Sequence, residues 1–357
     1  MPTSNSDEAA TRQGPAPAPA EQPPLAVTMG DPAGIGPDIT LLSWLKRTSL
    51  ALPPFVLLGD PDLMADRAAR LGLAVAIESV GDFATGREAF GRALPVLRVR
   101  APATLGGQGQ IVAGIEQAAL AVLDRHALAM VTNPITKSAL NLASLAYPGH
   151  TEYLAWLAER HRGGPRPRPV MMLLADELKV VPATVHVPLA AVPALLTGEL
   201  LRETIAITAA ALRQDFGLAA PRIAVAGLNP HAGEDGLIGQ EERRVIAPVV
   251  AGLAAAGLTV SGPHAADTLF HAEARRSYDA VVAMYHDQAL IPLKTLAFDR
   301  GVNSTLGLPF VRTSPDHGTA FALAGTGKAR PGSFIAALRL AAEVGCRRRL
   351  ALGLKPP

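Results

Sequence analysis

Three segments of this chain share one construction, an apolar run of β-strand composition that leads into a histidine. They cover residues 179–186, 222–231 and 278–286, and they end on His186, His231 and His286. In an open α/β sheet, ligands bind in the crevice beyond the carboxyl ends of the strands. Three imidazoles delivered to that edge could converge on one divalent metal ion. A single histidine at a strand end is more often a capping or core residue, so the metal interpretation depends on the repeated placement.

The elements that would position these histidines follow from apolar runs that alternate with helical patterns. Further strand-like runs cover residues 25–29, 54–58, 74–77, 128–131 and 170–174. Apolar spacing of i, i+3, i+4 predicts helices over residues 38–45, 62–71, 114–127, 151–160, 200–214, 240–256 and 332–345. This alternation predicts an α/β fold with a doubly wound, largely parallel sheet.

Length and composition limit the classes of protein to consider. A chain of 357 residues is long enough for two α/β domains. The hydrophobic content of 49% with only 4% aromatic residues predicts a core of Ala, Val, Leu and Ile. A net charge of +2 predicts no nucleic acid partner. The single cysteine, Cys346, excludes an internal disulfide and a cysteine-based zinc site.

Residues 1–24 have the composition of a disordered tail. They are rich in Pro, Ala, Ser and Gln and lack the apolar segment of a signal peptide. Elsewhere no stretch reaches the roughly 18 uninterrupted apolar residues that a membrane span needs. We therefore expect a cytoplasmic protein without a membrane partner.

A glycine-rich segment, residues 28–37, lies between the first predicted strand and the first predicted helix. Glycines there allow the backbone to approach a ligand, and the start of a helix offers free N–H groups to an anion. A tight strand-to-helix turn would explain the same residues. The spacing is not G-x-G-x-x-G, so the segment does not indicate a Rossmann dinucleotide site.

The densest group of polar residues lies between Tyr285 and Thr319. It contains His286, Asp287, Lys294, Asn303, Arg312, Asp316 and His317. Lysine and arginine pair with phosphate or carboxylate, and arginine does so in bidentate fashion. A solvated surface does not usually mix such residues with so many glycines and apolar residues. The stretch therefore predicts a binding site for an anionic ligand.

Seven motifs in the same chain together resemble those of the 4-hydroxythreonine-4-phosphate dehydrogenase family of pyridoxal phosphate biosynthesis. They cover residues 30–37, 132–137, 148–152, 229–234, 285–288, 306–309 and 312–320, and the resemblance extends from about Leu25 to the C-terminal helix. Two positions depart from the family pattern, because Asp38 stands where Glu is common and Ala289 where Gly is usual. Neither departure removes a candidate ligand.

The resemblance implies a fold like that of isocitrate and isopropylmalate dehydrogenases, with two α/β domains and no Rossmann motif. We expect the first domain at residues 25–145 and 305–357, and the second, with the metal ligands and the dimer interface, at residues 146–304. The family is homodimeric, with active sites shared between subunits. Its metal ligands correspond to His186, His231 and His286, and its substrate-binding residues to His150, Thr151, Lys294, Asn303 and Arg312.

The implied reaction is NAD- or NADP-linked oxidation of 4-phosphohydroxy-L-threonine, with one divalent ion (Zn, Mg or Co) at each site. The 3-oxo product then loses carbon dioxide to give 3-amino-2-oxopropyl phosphate. Candidate catalytic residues are Lys294, Asp267 and Asp287, and candidate cofactor-binding residues are Gly307, Asp316, His317 and Gly318. Two alternatives stay open: a dehydrogenase of a four-carbon sugar-acid phosphate (erythronate or threonate 4-phosphate), and a non-redox enzyme resembling phosphate acyltransferases.

Overall fold

The protein is described by a computed structural model that covers residues 22–101, 106–136 and 149–353, with the side chains of 106–108 left aside. The strands are β1 (Leu25–Thr28), β2 (Phe55–Gly59), β3 (Ile77–Val80), β4 (Leu94–Arg98), β5 (Met130–Thr132), β6 (Val170–Ala175), β7 (Leu178–Pro182), β8 (Ile223–Ala226), β9 (Val260–His264), β10 (Ala280–Ala283), β11 (Val302–Leu306) and β12 (Arg312–Pro315). The helices are α1 (Gly36–Leu45), α2 (Pro61–Arg70), α3 (Phe83–Ala89), α4 (Gly106–Leu123), α5 (His150–Arg162), α6 (Val192–Leu195), α7 (Gly198–Gln214), α8 (Ala247–Ala255), α9 (His286–Ala297) and α10 (Gly332–Ala351).

The described strands form one mixed sheet in the order β3-β4-β2-β1-β5-β12-β11-β6-β7-β10-β8-β9. The outer parts are parallel, and the antiparallel pairs β12-β11, β11-β6 and β6-β7 join them. The predicted α/β class with a largely parallel sheet is therefore confirmed. The reversal in the centre brings chain segments that are distant in sequence to one place on the sheet.

Successive side chains of a strand point to opposite faces of the sheet, and each face packs against its own apolar clusters. One face carries a continuous apolar cluster that includes Val27, Leu57, Val181 and Val282. The other face carries two separate clusters, one around the first strands and helices α4 and α5, and one around β7, β8, β10 and α9. The division into two domains at the residues given above stays a prediction.

The three histidines do not end their strands as the sequence pattern predicts. β7 ends at Pro182, β8 at Ala226 and β10 at Ala283. His186 and His231 lie in the connections that follow, both with a φ of 51°, and His286 is the first residue of α9. Apolar composition extends beyond the ladder hydrogen bonds in each case, because the first residues after a strand can remain buried without pairing.

Residues 22–24 of the predicted tail belong to the described part of the chain. Gln22 is buried, and the carbonyl of Pro24 accepts a hydrogen bond from the Leu128 N–H. Residues 1–21 and the motif positions 137–148 lie outside the described residues. None of the described helices combines the length and apolarity that crossing a membrane requires.

Candidate active site

A cavity of about 1190 Å³ lies at the junction of the parallel and antiparallel parts of the sheet. Segments after β5, β7 and β12 contribute to its wall together with the starts of α5 and α9. Of the predicted site residues, it is lined by His150, Thr151, His186, His286, Asp287, Lys294, Asn303, Arg312, Asp316, His317 and Gly318. The topology therefore brings most of the predicted site together.

Arg312 is the most deeply buried cation of this cavity, with 5% of its surface exposed. Its guanidinium donates to the Thr132 hydroxyl from Nε at 3.1 Å and Nη2 at 2.6 Å, and to the Thr305 hydroxyl from Nη1 at 3.1 Å. Within the described residues it forms no ion pair with a carboxylate. Burial lowers the pKa of Arg312 to about 10, so the side chain remains a cation at neutral pH. A buried charge without a partner is costly, and a bound anion would offset that cost.

His150 lies beside this guanidinium at the start of α5. Its Nδ1 is 3.5 Å from Arg312 Nη2, which makes Nδ1 an acceptor and leaves the proton on Nε2. Nε2 is buried and has no hydrogen-bond partner among the described residues. Burial and the Arg312 charge lower the pKa of His150 well below 6.5, so the ring is neutral. The site thus presents an unused N–H donor next to a cation, together with the N-terminus of a helix.

Lys294 faces the cavity from α9 and pairs with the partly buried carboxylate of Asp316. Its Nζ lies 3.3 Å from Asp316 Oδ2 and donates to the Asp316 carbonyl at 3.3 Å. Burial raises the pKa of Asp316, and the charge of Lys294 opposes this shift. A lysine held in this way is half-buried and keeps its ammonium group within reach of a ligand.

Two unused hydrogen-bonding atoms mark the wall between Lys294 and Arg312. Asn303 Oδ1 and His317 Nε2 are buried without a hydrogen-bond partner in the described part of the chain. His317 Nδ1 donates to the Gly318 carbonyl at 3.1 Å, so Nε2 carries a lone pair, and burial lowers the pKa of His317. Both atoms are ready to accept hydrogen bonds from a ligand.

Gly307, another candidate for cofactor binding, lies outside the residues that line the cavity. It has a φ of +79°, and a Cβ there would be 2.2 Å from the carbonyl oxygen of Arg168. A close backbone crossing after β11 therefore explains the glycine. Asp316, His317 and Gly318 remain the cavity-lining members of that candidate set.

Two of the three candidate metal ligands come together at the mouth of the cavity. The ring centroids of His186 and His286 are 5.5 Å apart. His286 Nδ1 lies 2.7 Å from Asp287 Oδ1, and donation to this carboxylate would leave Nε2 free to bind a metal ion. Asp287, one of the candidate catalytic residues, is therefore in hydrogen-bond contact with a candidate metal ligand.

His231 and Asp267 lie elsewhere on the chain. His231 is exposed and does not line the cavity, and Asp267 is exposed on a short 3₁₀ helix, Ala266–Thr268, that packs against the turn carrying His231. Within the described residues of one chain, no group of three or more His, Cys, Asp or Glu side chains could hold a metal ion. A single chain therefore offers two imidazoles at one place and the third at another.

The family model described as pyridoxal phosphate biosynthetic protein PdxA matches residues 51–341. The chain belongs to the PdxA family. A 4-hydroxythreonine-4-phosphate dehydrogenase of Methylorubrum populi is 54% identical over 334 residues, covering 91% of this chain and 95% of the relative. The predicted family and the prediction of an oxidoreductase of pyridoxal phosphate biosynthesis are confirmed.

Solved structures agree with this assignment to the PdxA family. The crystal structure of 4-hydroxythreonine-4-phosphate dehydrogenase from Klebsiella pneumoniae is 38% identical, with a TM-score of 0.78 over 91% of this chain and 98% of that one. A terephthalate 1,2-cis-dihydrodiol dehydrogenase from Burkholderia xenovorans is 28% identical, with a TM-score of 0.59 over 90% and 98%. A dehydrogenase of this kind implies a nicotinamide cofactor and a metal ion, and the comparisons specify neither.

Sequence reasoning missed several residues that support the PdxA site. Thr132 and Thr305 hold Arg312, and Thr132 begins a motif that gave a usable signal. Gln288 accepts from the Met284 N–H at 2.6 Å and donates to the Gly227 carbonyl at 2.8 Å, which ties the start of α9 to the end of β8. Glu242 accepts hydrogen bonds from the backbone N–H groups of Leu228 and Asn229, and contacts to backbone leave no pattern of residue types in the sequence.

Proposed function

We propose that this PdxA family member oxidises 4-phosphohydroxy-L-threonine to 2-amino-3-oxo-4-phosphooxybutanoate with NAD or NADP as the hydride acceptor. Loss of carbon dioxide from this 3-oxo acid gives 3-amino-2-oxopropyl phosphate. The observation that carries the substrate assignment is the buried Arg312 guanidinium in the cavity wall, which has no carboxylate partner among the described residues. It supports a ligand with a phosphate group.

The phosphate end of the substrate would lie between Arg312 and the start of α5. Arg312 supplies charge, His150 supplies its Nε2–H, and the first turn of α5 supplies backbone N–H groups. Thr151 lines the same wall, and its hydroxyl donates to Glu152 Oε2 at 2.9 Å. The two Thr hydroxyls beneath Arg312 fix the guanidinium plane, so little ordering would be needed on binding.

We propose that a divalent ion is held by His186 and His286 of one subunit and by His231 of a second. The fit is supported by the imidazole donor set and by the separation of His231 from the other two in a single chain. Such an ion lowers the pKa of a bound hydroxyl and stabilises negative charge on oxygen. Which of Zn, Mg or Co is used does not follow from this donor set.

Other side chains would orient the ligands and handle protons. Asp287 holds His286 through Nδ1, and Lys294 can exchange a proton with the substrate at its ammonium group while Asp316 keeps that group in place. Asp267, beside the turn of His231, would reach the same centre only from the second subunit. Asn303 Oδ1 and His317 Nε2 would accept hydrogen bonds from the substrate or the nicotinamide cofactor.

A homodimer is supported by exposed apolar side chains that line the cavity or follow the histidines along the chain. They include Leu189 at 66%, Leu237 at 85% and Phe298 at 69% exposure. Val187, Leu195, Ile238 and Ile291 are exposed as well. A twofold contact uses one patch on both subunits, so His231 of each chain can meet the cavity of its partner.

Turnover with two phosphorylated substrates tests the proposal. We expect reduction of NAD or NADP with 4-phosphohydroxy-L-threonine, read from the absorbance of the reduced nicotinamide, and a much smaller kcat/KM with erythronate 4-phosphate. The reverse preference would assign the chain to a sugar-acid phosphate instead. No reduction of either cofactor with either compound would contradict both assignments.

A further inference from the structure

The turn that carries His231 has an unusual backbone. Five consecutive residues, His231 to Asp235, have left-handed φ angles between 42° and 80°. Only Gly233 among them lacks a side chain, and the left-handed region is unfavourable for the others. Backbone of this kind persists only where surrounding contacts hold it, and it concentrates at functional sites.

The side chain of Glu242 supplies such contacts. It is 3% exposed. Its Oε1 accepts from the backbone N–H groups of Leu228 at 2.8 Å and Asn229 at 2.7 Å, and its Oε2 accepts from Asn229 Nδ2 at 3.0 Å. The carboxylate is therefore bound to the two residues that lead into Pro230 and His231.

Glycines allow the turn to close around this carboxylate on both sides of His231. A Cβ at Gly227 would lie 3.2 Å from Glu242 Oε1, and a Cβ at Gly233 would lie 2.6 Å from Oε2. Residues with a side chain at these positions would push the carboxylate away. The turn and Glu242 thus form one closely packed unit.

Glu242 begins a π-helical turn, Glu242–Ile246, that continues into α8. Such wide turns are rare and frequently lie at functional sites. This turn contacts the His231 turn directly. Helix α8, anchored in the apolar core through Val249 and Leu253, gives the carboxylate a rigid support.

We propose that Glu242 is a positioning residue that holds the left-handed turn in the conformation that presents His231. The inference rests on the proposed role of His231 as a metal ligand in the partner's site. Glu242 does not contact the metal or the substrate in this scheme. It acts by holding the backbone of residues 228–233. Its loss therefore loosens the turn that carries His231 while the rest of the fold stays in place.

The test combines zinc affinity with hydrogen exchange in the full-length protein. Zn²⁺ affinity is measured by chelator competition, and amide exchange is followed over residues 228–238, for wild type, Glu242→Gln and Gly233→Ala. We expect both variants to bind Zn²⁺ about 10–100-fold more weakly, as is typical when groups behind a metal ligand are removed. We also expect faster exchange in this segment in both.

Asp215→Asn is the matched control, because Asp215 is another buried carboxylate and its partner is Arg348 Nε of α10, at 2.6 Å, instead of the His231 turn. We expect it to lower the melting temperature without changing Zn²⁺ affinity. Glu242→Gln with wild-type affinity and wild-type exchange would overturn the proposal, as would an equal loss of affinity in Asp215→Asn. If Glu242→Gln does not fold, Glu242→Asp decides, since it keeps the charge and withdraws the carboxylate from the Leu228 and Asn229 N–H groups.

The metal assignment and the role of Glu242 can be contradicted independently of each other. If wild type binds no Zn²⁺ at any accessible concentration, the metal assignment is wrong. Exchange over residues 228–238 then decides the role of Glu242 alone. Faster exchange in Glu242→Gln than in Asp215→Asn would support the positioning role, and equal exchange would contradict it.

Discussion

At the scale of single residues, the buried cation Arg312 links stability to function. Its guanidinium is held by hydroxyl groups, which are weaker partners for a charge than a carboxylate. The protein therefore keeps an unfavourable buried charge that a bound phosphate would stabilise. Replacement of a buried charge by an apolar side chain of similar size is often neutral or stabilising.

We expect Arg312→Met to keep or raise the melting temperature of the unliganded protein while removing its response to phosphate. Inorganic phosphate at 100 times its Kd should stabilise wild type by about 2.7 kcal/mol and leave the variant unchanged. The fall in kcat/KM should correspond to a loss of about 2–4 kcal/mol of transition-state stabilisation. Arg330→Met, which removes an exposed arginine 2.7 Å from Asp299, is the control for losing a charge. An equal phosphate response in Arg312→Met and wild type would reject the contact.

His150 gives the site a pH dependence whose sign follows from its pKa. In the unfolded chain the imidazole titrates near 6.5, and in the folded protein its pKa is well below that value. The unfolded state therefore binds more protons as the pH falls below about 6.5, and stability decreases there. Above this pH the full stability is present.

We expect the free energy of unfolding of wild type to fall between about pH 6.5 and pH 5, and the fall to be smaller in His150→Gln. The variant keeps a neutral polar side chain and cannot titrate. Urea unfolding at a series of pH values measures both curves. Because burial also lowers the pKa of His317 and His264, part of the slope should remain in the variant. Parallel curves would contradict the assignment to His150.

At the scale of elements, helices were easier to predict than the ends of strands. The predicted helix over 200–214 corresponds to α7, whose apolar stripe packs on the sheet, and the predicted 332–345 forms most of α10. The sequence predicts strand for the residues after β7, β8 and β10, because their apolar composition continues past the last ladder hydrogen bond. Helix α9, with Pro292 inside it and no polar cap at Tyr285, gave no clear start signal.

The candidate site was predictable where charge and residue type mark it, as at Lys294 and Arg312. It was not predictable where the backbone carries the geometry. The left-handed turn at His231 depends on contacts with Glu242. The wall that carries Asn303 and Arg312 depends on the pairing of β11 with β6 and of β12 with β5, which are distant in sequence. No local pattern in the sequence encodes such pairings.

The turn between β1 and α1 allows a test of close backbone packing. Gly30 has a φ of +77°, and a Cβ there would lie 2.6 Å from the Pro134 carbonyl oxygen. Pro134 and Asn133 line the cavity, and Asn133 Nδ2 donates to the Thr28 carbonyl at 3.0 Å. Movement of this turn would therefore move one wall of the site.

We expect Gly30→Ala to destabilise the protein by more than the roughly 1 kcal/mol that a left-handed φ alone costs an alanine, and to raise KM for the substrate. Gly72→Ala is the matched control, because Gly72 has a φ of +64° and open space around the position of a Cβ. Urea unfolding and steady-state kinetics compare the two variants. If both variants lose the same free energy of unfolding and neither changes KM, the close contact with Pro134 contributes neither to stability nor to the shape of the site.

At the scale of the whole molecule, the separation of the histidines predicts how subunits cooperate. His186 and His286 belong to one cavity, and His231 lies on a different surface of the chain. Both surfaces carry exposed apolar side chains, including Val187 and Ile238. In a twofold dimer each metal centre would then take its ligands from both subunits.

Mixing inactive variants tests this arrangement. A dimer of one His231→Ala and one His186→Ala subunit keeps one complete set of three histidines and loses the other, so we expect activity to return after subunit exchange. The matched control is His186→Ala mixed with His286→Ala, where each cavity lacks one of its own ligands and no activity should return. Native mass spectrometry verifies that mixed dimers form in both cases. Recovery in the control, or its absence in the test pair, would show that the histidines are divided between the subunits in another way, because only ligands from different chains can complement each other.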